Sequence, residues 1–152
     1  MWIYSSEFHL CSWDCAFEDC VELAHLVESG LGWEETFAAF QRRRQPNADA
    51  IARMALENYV EMRDTVRDPR FLRQKQIALQ LERRHPRRFI PRYSMVSFHP
   101  EIPYAEALRR GEVQQRILDA LDGGGEATEP GQIDFARADA LVTARLTELE
   151  PA

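Results

Sequence analysis

The chain has 152 residues, of which 45% are hydrophobic and 29% charged, which fits one domain with a core and excludes an intrinsically disordered composition. Its net charge of -6 and its sequence pI of about 5.3 argue against nucleic-acid binding. No apolar run approaches the ~20 residues that span a bilayer, and the segment Met1 to Cys15 lacks the basic start of a signal peptide, so we expect a cytoplasmic protein without membrane contact.

The hydrophobic pattern predicts a mainly α fold of about six helices. The predicted helices span about residues 14–29, 33–43, 47–66, 69–85, 104–121 and 134–149. Pro46 is expected to stop the second helix, because proline removes a backbone donor. Asn47 is a favourable N-cap for the third. Gly111 is expected to weaken the fifth helix from within.

The region after the fourth helix breaks this pattern. Residues 89–98 are rich in aromatic and β-branched side chains and contain Pro91, so we expect one short extended segment at 93–98. Glycines between 123 and 131 predict a flexible tether. The predicted organisation is a separate N-terminal segment, a helical region, a linker and a C-terminal helix, at residues 1–15, 16–122, 123–133 and 134–150.

Three cysteines lie close together near the N-terminus. Cys11, Cys15 and Cys20, with His9 nearby, could supply zinc ligands, but their spacing does not form the paired knuckles of structural zinc sites. Cys15 and Cys20 are five residues apart on a predicted helix and therefore diverge around its axis. No metal site is predicted, and we expect reduced thiols.

Charge is distributed unevenly along the chain. Residues 42–116 carry a net charge of +8 and the remainder carries -14, and eighteen of the nineteen basic side chains are arginine. A basic middle region could bind phosphates or carboxylates of a ligand. The alternative is that these arginines pair with the acidic flanks of the same chain. We favour the alternative, because acidic residues are interspersed even within the basic stretch.

The third predicted helix carries one amide on its apolar face. Ile51, Ala55, Asn58 and Met62 recur at helical spacing. A primary amide among apolar neighbours costs a few kcal/mol unless its polar groups find partners. Asn58 therefore either ties a core together or faces a bound polar ligand, and the residues alone favour the first interpretation.

Several stretches together resemble the C-terminal part of kynurenine 3-monooxygenase, a family of flavin-dependent aromatic hydroxylases. The resemblance extends from about Ala16 to Leu149, and the last predicted helix also resembles the C-terminus of bacterial members. Each stretch is weakly specific alone, whereas their order and separation are distinctive. The matching stretches are Phe17-Glu18-Asp19-Cys20, Pro46-Asn47-Ala48-Asp49-Ala50-Ile51, Asn58-Tyr59-Val60-Glu61-Met62-Arg63, Ile90-Pro91-Arg92-Tyr93-Ser94-Met95-Val96 and Ile102-Pro103-Tyr104-Ala105-Glu106-Ala107.

The resemblance implies a substrate site. In that family FAD is reduced by NADPH, and the flavin hydroperoxide that then forms hydroxylates the ring of kynurenine. Asn58 and Tyr93 match positions that hydrogen-bond the amino-acid end of the substrate, and Met62 would line the same pocket. An amide and a phenol directed into an apolar pocket suit an aromatic ligand with a polar tail. From the residues alone, Tyr93 reads instead as a core aromatic with its hydroxyl at the surface.

The chain departs from that family where the cofactor would bind. No G-x-G-x-x-G motif occurs in it, so no dinucleotide cradle and no cofactor-binding residues are predicted. The family's glycine-rich Gly-Gln-Gly-Met-Asn-Ala-Gly, which approaches the flavin, corresponds here to residues 10–16, where side chains replace hydrogens. FAD and NADPH are therefore implied by the family, yet we expect the chain alone to bind neither, to contain no catalytic residues and to bind kynurenine negligibly.

Two hypotheses remain open. The chain is the substrate-side half of a flavoprotein, inactive alone or active with a separate flavin-domain chain. Alternatively, it is a small helical interaction protein that binds a partner or itself. We expect Trp33, Phe37 and Phe40 to be partly exposed, which would favour association.

Overall fold

The computed structural model describes residues 3–65, 68–122 and 134–149. The described residues form six α-helices and no β-strand, which confirms the mainly α fold. A single π-helical turn, Glu61–Thr65, follows the second helix. The predicted linker lies outside the described residues, and the domain division remains a prediction. The helices are α1 (Ile3–Glu28), α2 (Trp33–Val60), α3 (Pro69–Arg84), α4 (Arg92–Phe98), α5 (Tyr104–Leu121) and α6 (Phe135–Arg145).

The predicted stop at Pro46 is wrong, because Pro46 lies inside the 28-residue helix α2, which continues to Val60. Proline inside a helix costs about 3 kcal/mol. Burial on both sides of Pro46 offsets this cost, since Ala39 lies buried before it and Ala50 and Met54 lie buried after it. The first helix was also predicted too short, because α1 already begins at Ile3.

Asn47 is consequently not the N-cap of a third helix. Its side-chain Oδ1 accepts a hydrogen bond from the backbone N–H of Ala105, at 3.0 Å. Ala105 lies in the first turn of α5, where backbone N–H groups lack partners within the helix. Asn47 therefore has the capping chemistry that its sequence position suggested, but it caps a helix 58 residues further along the chain.

The predicted extended segment at 93–98 is also wrong, since these residues lie in α4. Pro91 precedes the helix in an extended conformation, and its carbonyl accepts from the N–H of Met95 at 3.0 Å. Met95 is fully buried and contributes to a cluster with Ile90, Ile102 and Ala107. The free energy gained by burying Met95 outweighs the β propensity of the local sequence, so the segment forms a helix.

The C-terminal helix ends at Arg145, four residues before the predicted end, and residues 146–149 are not helical. They lie along the loop after α3, where the N–H of Leu149 donates to the carbonyl of Arg87 at 2.9 Å. The buried Arg110 of α5 donates to the carbonyls of Arg88 and Thr147, at 2.8 and 2.9 Å. These bonds satisfy carbonyls of the loop after α3 and of the non-helical segment after α6, which have no partner within a helix.

The main core cluster joins α3, α5 and α6. Leu81, Phe89, Ile117 and Val142 are almost fully buried there. A smaller cluster joins α1, α2 and α5 through Cys15, Ala50, Met54 and Tyr104. None of the helices in the described part of the chain is long and apolar enough to cross a membrane.

Arginines of the middle region pair with the acidic flanks, as predicted from the charge distribution. Arg44 of α2 contacts Glu18 and Asp19 of α1, at 2.9 and 2.5 Å. Arg84 contacts Asp139 of α6 at 2.5 Å. Hydrogen bonds from Arg84 and His85 hold the pKa of the Asp139 carboxyl well below its usual range. Arg43, Arg70, Arg73 and Arg88 make similar pairs with Glu22, Asp119, Asp122 and Glu148.

We predict that Pro46→Ala stabilises the protein by about 1–3 kcal/mol, because it restores a helical hydrogen bond and removes a ring clash within α2. The free energy of unfolding, measured with urea, tests this. Pro86→Ala in the turn after α3 is the matched control and should give no such gain. An unchanged or lower stability for Pro46→Ala would show that α2 is broken at this residue in solution.

Candidate functional site

A groove of about 580 Å³ lies between the second half of α2, α3, the start of α4 and α5. Its volume falls in the usual range of small-molecule pockets, about 300–1,000 Å³. Apolar side chains form part of the wall, including Phe71, Phe89 and Pro91. Charged side chains of both signs line the rest, namely Arg53, Glu57, Glu61, Lys75, Arg92, Glu112 and Arg116. The groove therefore suits a ligand that combines an apolar part with both positive and negative groups.

Tyr93 lies in this groove at the start of α4, half-buried. Its hydroxyl oxygen accepts a hydrogen bond from Nη2 of Arg92, at 3.1 Å. Burial raises the pKa of the Tyr93 phenol more than the neighbouring guanidinium of Arg92 lowers it, and the carboxylate of Glu61 raises it further. The phenol is therefore protonated at neutral pH and able to donate a hydrogen bond.

Arg92 connects Tyr93 to α2. Its Nη1 contacts Oε2 of Glu57 at 2.5 Å, and the Arg92 side chain is only 18% exposed. Burial lowers the pKa of Arg92, but its interactions with Tyr93 and Glu57 outweigh burial and raise it. Glu57 also accepts from Nε of Arg53 at 2.9 Å, and Arg53 contacts Glu112 of α5 at 2.8 Å. Alternating charges thus tie α2, α4 and α5 together beside Tyr93.

Asn58 and Met62 contact each other one helical turn apart. Asn58 is buried on α2, and its Nδ2 lies 3.6 Å from Sδ of Met62 in the π-helical turn. Thioether sulfur is a weak acceptor, so this contact satisfies the amide poorly. The lining of the groove includes Tyr93 but neither Asn58 nor Met62, whereas Glu57 and Glu61, which flank Asn58 on the same helix, do line it.

The groups that surround Tyr93 were not predicted from the sequence. Glu57 and Glu61 are one turn apart on a predicted helix, a spacing that could have marked a common acidic face. The π-helical turn, a feature frequent at functional sites, gave no such signal. Gly111 was predicted only as a weak point of its helix, but it lies against the side chain of Arg92.

No cluster of His, Cys, Asp and Glu side chains that could hold a metal ion occurs among the residues that the structure describes. Cys15 is buried and Cys20 is exposed, so the two thiols point in different directions, as the helical spacing suggested. The side chains of His9 and Cys11 lie outside the described set.

Comparison with known proteins gives one consistent result. The chain is 51% identical over 146 residues to a kynurenine 3-monooxygenase of Stenotrophomonas maltophilia (strain K279a), a match that covers 95% of the chain and 31% of the relative. It is 46% identical over 145 residues to the Xanthomonas campestris pv. campestris (strain B100) protein of that name, with the same coverages. It is 46% identical over 134 residues to the Myxococcus xanthus (strain DK1622) protein, covering 88% of the chain and 28% of the relative.

The chain therefore spans about a third of the length of the curated relatives it matches. No protein-family model matches the chain.

We predict that Asn58→Leu leaves stability unchanged or raises it, because Leu has a similar volume and the amide loses only a weak sulfur contact. Urea unfolding measures the effect. A loss of about 1–3 kcal/mol would instead support the other interpretation, in which the amide ties the core together. Gln41→Leu on the exposed face of α2 is the control for a polar-to-apolar change.

Proposed function

We propose, from the correspondence of nearly the whole chain to the C-terminal portion of kynurenine 3-monooxygenase, that it forms the substrate-side helical part of such an enzyme. The reaction is the NADPH- and FAD-dependent hydroxylation of kynurenine to 3-hydroxykynurenine. The observation that carries the proposal is Tyr93, which matches a substrate-contacting position of the family and lines a groove with charged groups of both signs.

The charges of the groove fit the polar end of an amino acid. A ligand carboxylate can pair with a guanidinium, and a ligand ammonium can pair with Glu57 or Glu61. The protonated phenol of Tyr93 can add a hydrogen bond from the wall of the groove. Asn58 and Met62 remain proposed substrate contacts on the family resemblance alone, because neither lines the groove.

The residues that correspond to the family's flavin-contacting loop do not fit FAD. α1 runs without interruption through residues 10–16, so the backbone N–H groups there are bonded within the helix. A nucleotide phosphate needs N–H groups that point outward from a helix start or glycine-rich loop. We therefore propose that this chain alone holds neither FAD nor NADPH, catalyses no hydroxylation and binds kynurenine negligibly.

The proposal is tested with a chimaera in which residues 17–149 of the chain replace the matching part of the Stenotrophomonas maltophilia relative. The relative then keeps its own residues at the positions that correspond to 10–16. We expect kynurenine-dependent NADPH oxidation by the chimaera and none by the chain alone. Tyr93→Phe in the chimaera should raise KM for kynurenine roughly tenfold, since it removes one hydrogen bond to a charged group.

Tyr59→Phe is the matched control, because Tyr59 is exposed on α2. It should leave KM unchanged. An inactive chimaera that is folded and contains flavin would contradict the proposed function, as would equal effects of the two substitutions.

A second function, that of an interaction module, is favoured by the apolar surface of α1 and the start of α2. Phe17 and Trp33 are 64% and 68% exposed, and Trp33 stacks on the exposed Phe37 with 5.9 Å between ring centroids. Phe40 is half-buried, so the expected exposure of this stripe is largely confirmed. A surface of this kind is typical of sites that contact another protein.

The charge around this surface indicates the partner. Residues 13–40 contain seven carboxylates and no lysine or arginine. Three of the seven pair with Arg43 and Arg44 of α2, and the other four, at Asp14, Glu28, Glu34 and Glu35, keep this surface acidic. Two copies of this acidic face would repel each other, which disfavours self-association through it. We propose that its partner is a flavin-domain chain that presents apolar side chains edged by basic ones.

Sedimentation velocity with the remaining two thirds of the Stenotrophomonas maltophilia relative tests the partner. We expect a complex that weakens with added salt and is lost in the double variant Phe17→Ser, Trp33→Ser. Leu72→Ser, Leu79→Ser is the matched control, since both leucines are exposed on α3. A homodimer lost in the same double variant would show instead that the surface pairs with a second copy.

A further inference from the structure

We propose that Arg92 is a positioning residue for Tyr93 and that its position depends on the absence of a side chain at Gly111. This inference rests on the proposed function, because it assigns to Arg92 the orientation of a substrate-contacting phenol. It concerns contacts between α2, α4 and α5 that the pattern within any one helix does not reveal.

Gly111 lies buried in the interior of α5, where glycine costs about 1 kcal/mol relative to alanine. The structure explains why glycine occupies this position despite its cost in helix stability. A Cβ at residue 111 would lie 2.6 Å from Cδ of Arg92 and 3.1 Å from its Cβ and Cγ. The stem of Arg92 therefore crosses α5 in direct contact with its backbone, and any larger residue at 111 must displace it.

The side chain of Arg92 has three contacts that fix its position. Its aliphatic stem packs on Gly111, its Nη1 contacts Glu57 at 2.5 Å, and its Nη2 donates to the Tyr93 hydroxyl oxygen at 3.1 Å. Glu57 is itself held by Arg53, which contacts Glu112 of α5. Since each end of the side chain has a fixed contact, the direction of the hydrogen bond to Tyr93 is fixed as well.

This hydrogen bond determines the role of the phenol. A phenol oxygen that already accepts from a guanidinium is a poorer acceptor for a second donor, whereas its O–H can still donate. Tyr93 therefore favours a ligand group that accepts hydrogen bonds, such as a carboxylate. Without Arg92 at this place, the phenol could rotate and offer its oxygen instead, and the selection would be lost.

The proposal is tested first on the chain itself, by NMR titration of tyrosine labelled with ¹³C at Cζ. The guanidinium of Arg92 lowers the pKa of Tyr93 against the opposite effect of burial and of the carboxylates of Glu57 and Glu61. We expect both Arg92→Met and Gly111→Ala to raise that pKa. Gly32→Ala is the matched control and should not change it, because a Cβ there meets no atom within 4 Å.

The double variant Gly111→Ala, Arg92→Met gives the sharper result. If Gly111 acts through Arg92, the double variant should show the Tyr93 pKa of Arg92→Met alone. Should Gly111→Ala fail to fold, Arg92→Ala in the same chain should restore folding, because it removes Cδ and Cγ of Arg92, which the new Cβ would meet at 2.6 and 3.1 Å. Failure of that rescue, or a Tyr93 pKa in Gly111→Ala equal to that of Gly32→Ala, would overturn the proposal.

The second test uses the chimaera and the split between KM and kcat. We expect Arg92→Met and Gly111→Ala each to raise KM for kynurenine roughly tenfold with little change in kcat, and Arg92→Lys to recover part of the loss. Unchanged KM in both variants would count against the positioning role. If the chimaera itself is inactive, the proposed function fails, while the NMR titration still decides whether Gly111 and Arg92 position Tyr93.

Discussion

The uninterrupted α2 helix is the constraint on which the other elements depend. At 28 residues it extends roughly 42 Å, and it contacts both α1 and α5. Arg44 pairs with α1, Asn47 caps α5, and Arg53 and Glu57 reach the groove. A break at Pro46 would let the two halves rotate independently and separate these contacts. The continuous helix thus keeps these contacts together, although Pro46 lowers its stability.

The groove is assembled from residues that no single helix contains. Tyr93 comes from α4, Glu57 from α2 and Gly111 from α5, and Arg92 touches all three. Exposed ion pairs contribute little to stability, about 0–1 kcal/mol each, but a half-buried arginine with two fixed partners has a defined direction. The same chemistry that pairs α1 with α2 and α3 with α6 thus orients a phenol at the groove. Its contribution lies in geometry more than in stability.

Particular elements show how far the sequence could be interpreted. Helical periodicity located α3 and α5 closely, and the charge distribution correctly predicted pairing between the basic middle and the acidic flanks. The segment at 93–98 was predicted extended from its β-branched and aromatic residues. The segment is helical because this conformation buries Met95 against Ile90, Ile102 and Ala107. Asn58 was correctly identified as a polar residue on a buried face, whereas its contact with Met62 sulfur depended on the π-helical turn.

The sequence by itself determined the helical composition and the apolar faces, which follow from local spacing and residue identity. It also carries the family resemblance, from which Asn58, Met62 and Tyr93 are proposed as substrate contacts. The tertiary structure alone decided that α2 passes through Pro46, that Asn47 caps α5 and that Arg92 lies on Gly111. The physical reason is that burial and hydrogen bonds between distant residues contribute more free energy than local propensities, which differ by about 1–3 kcal/mol.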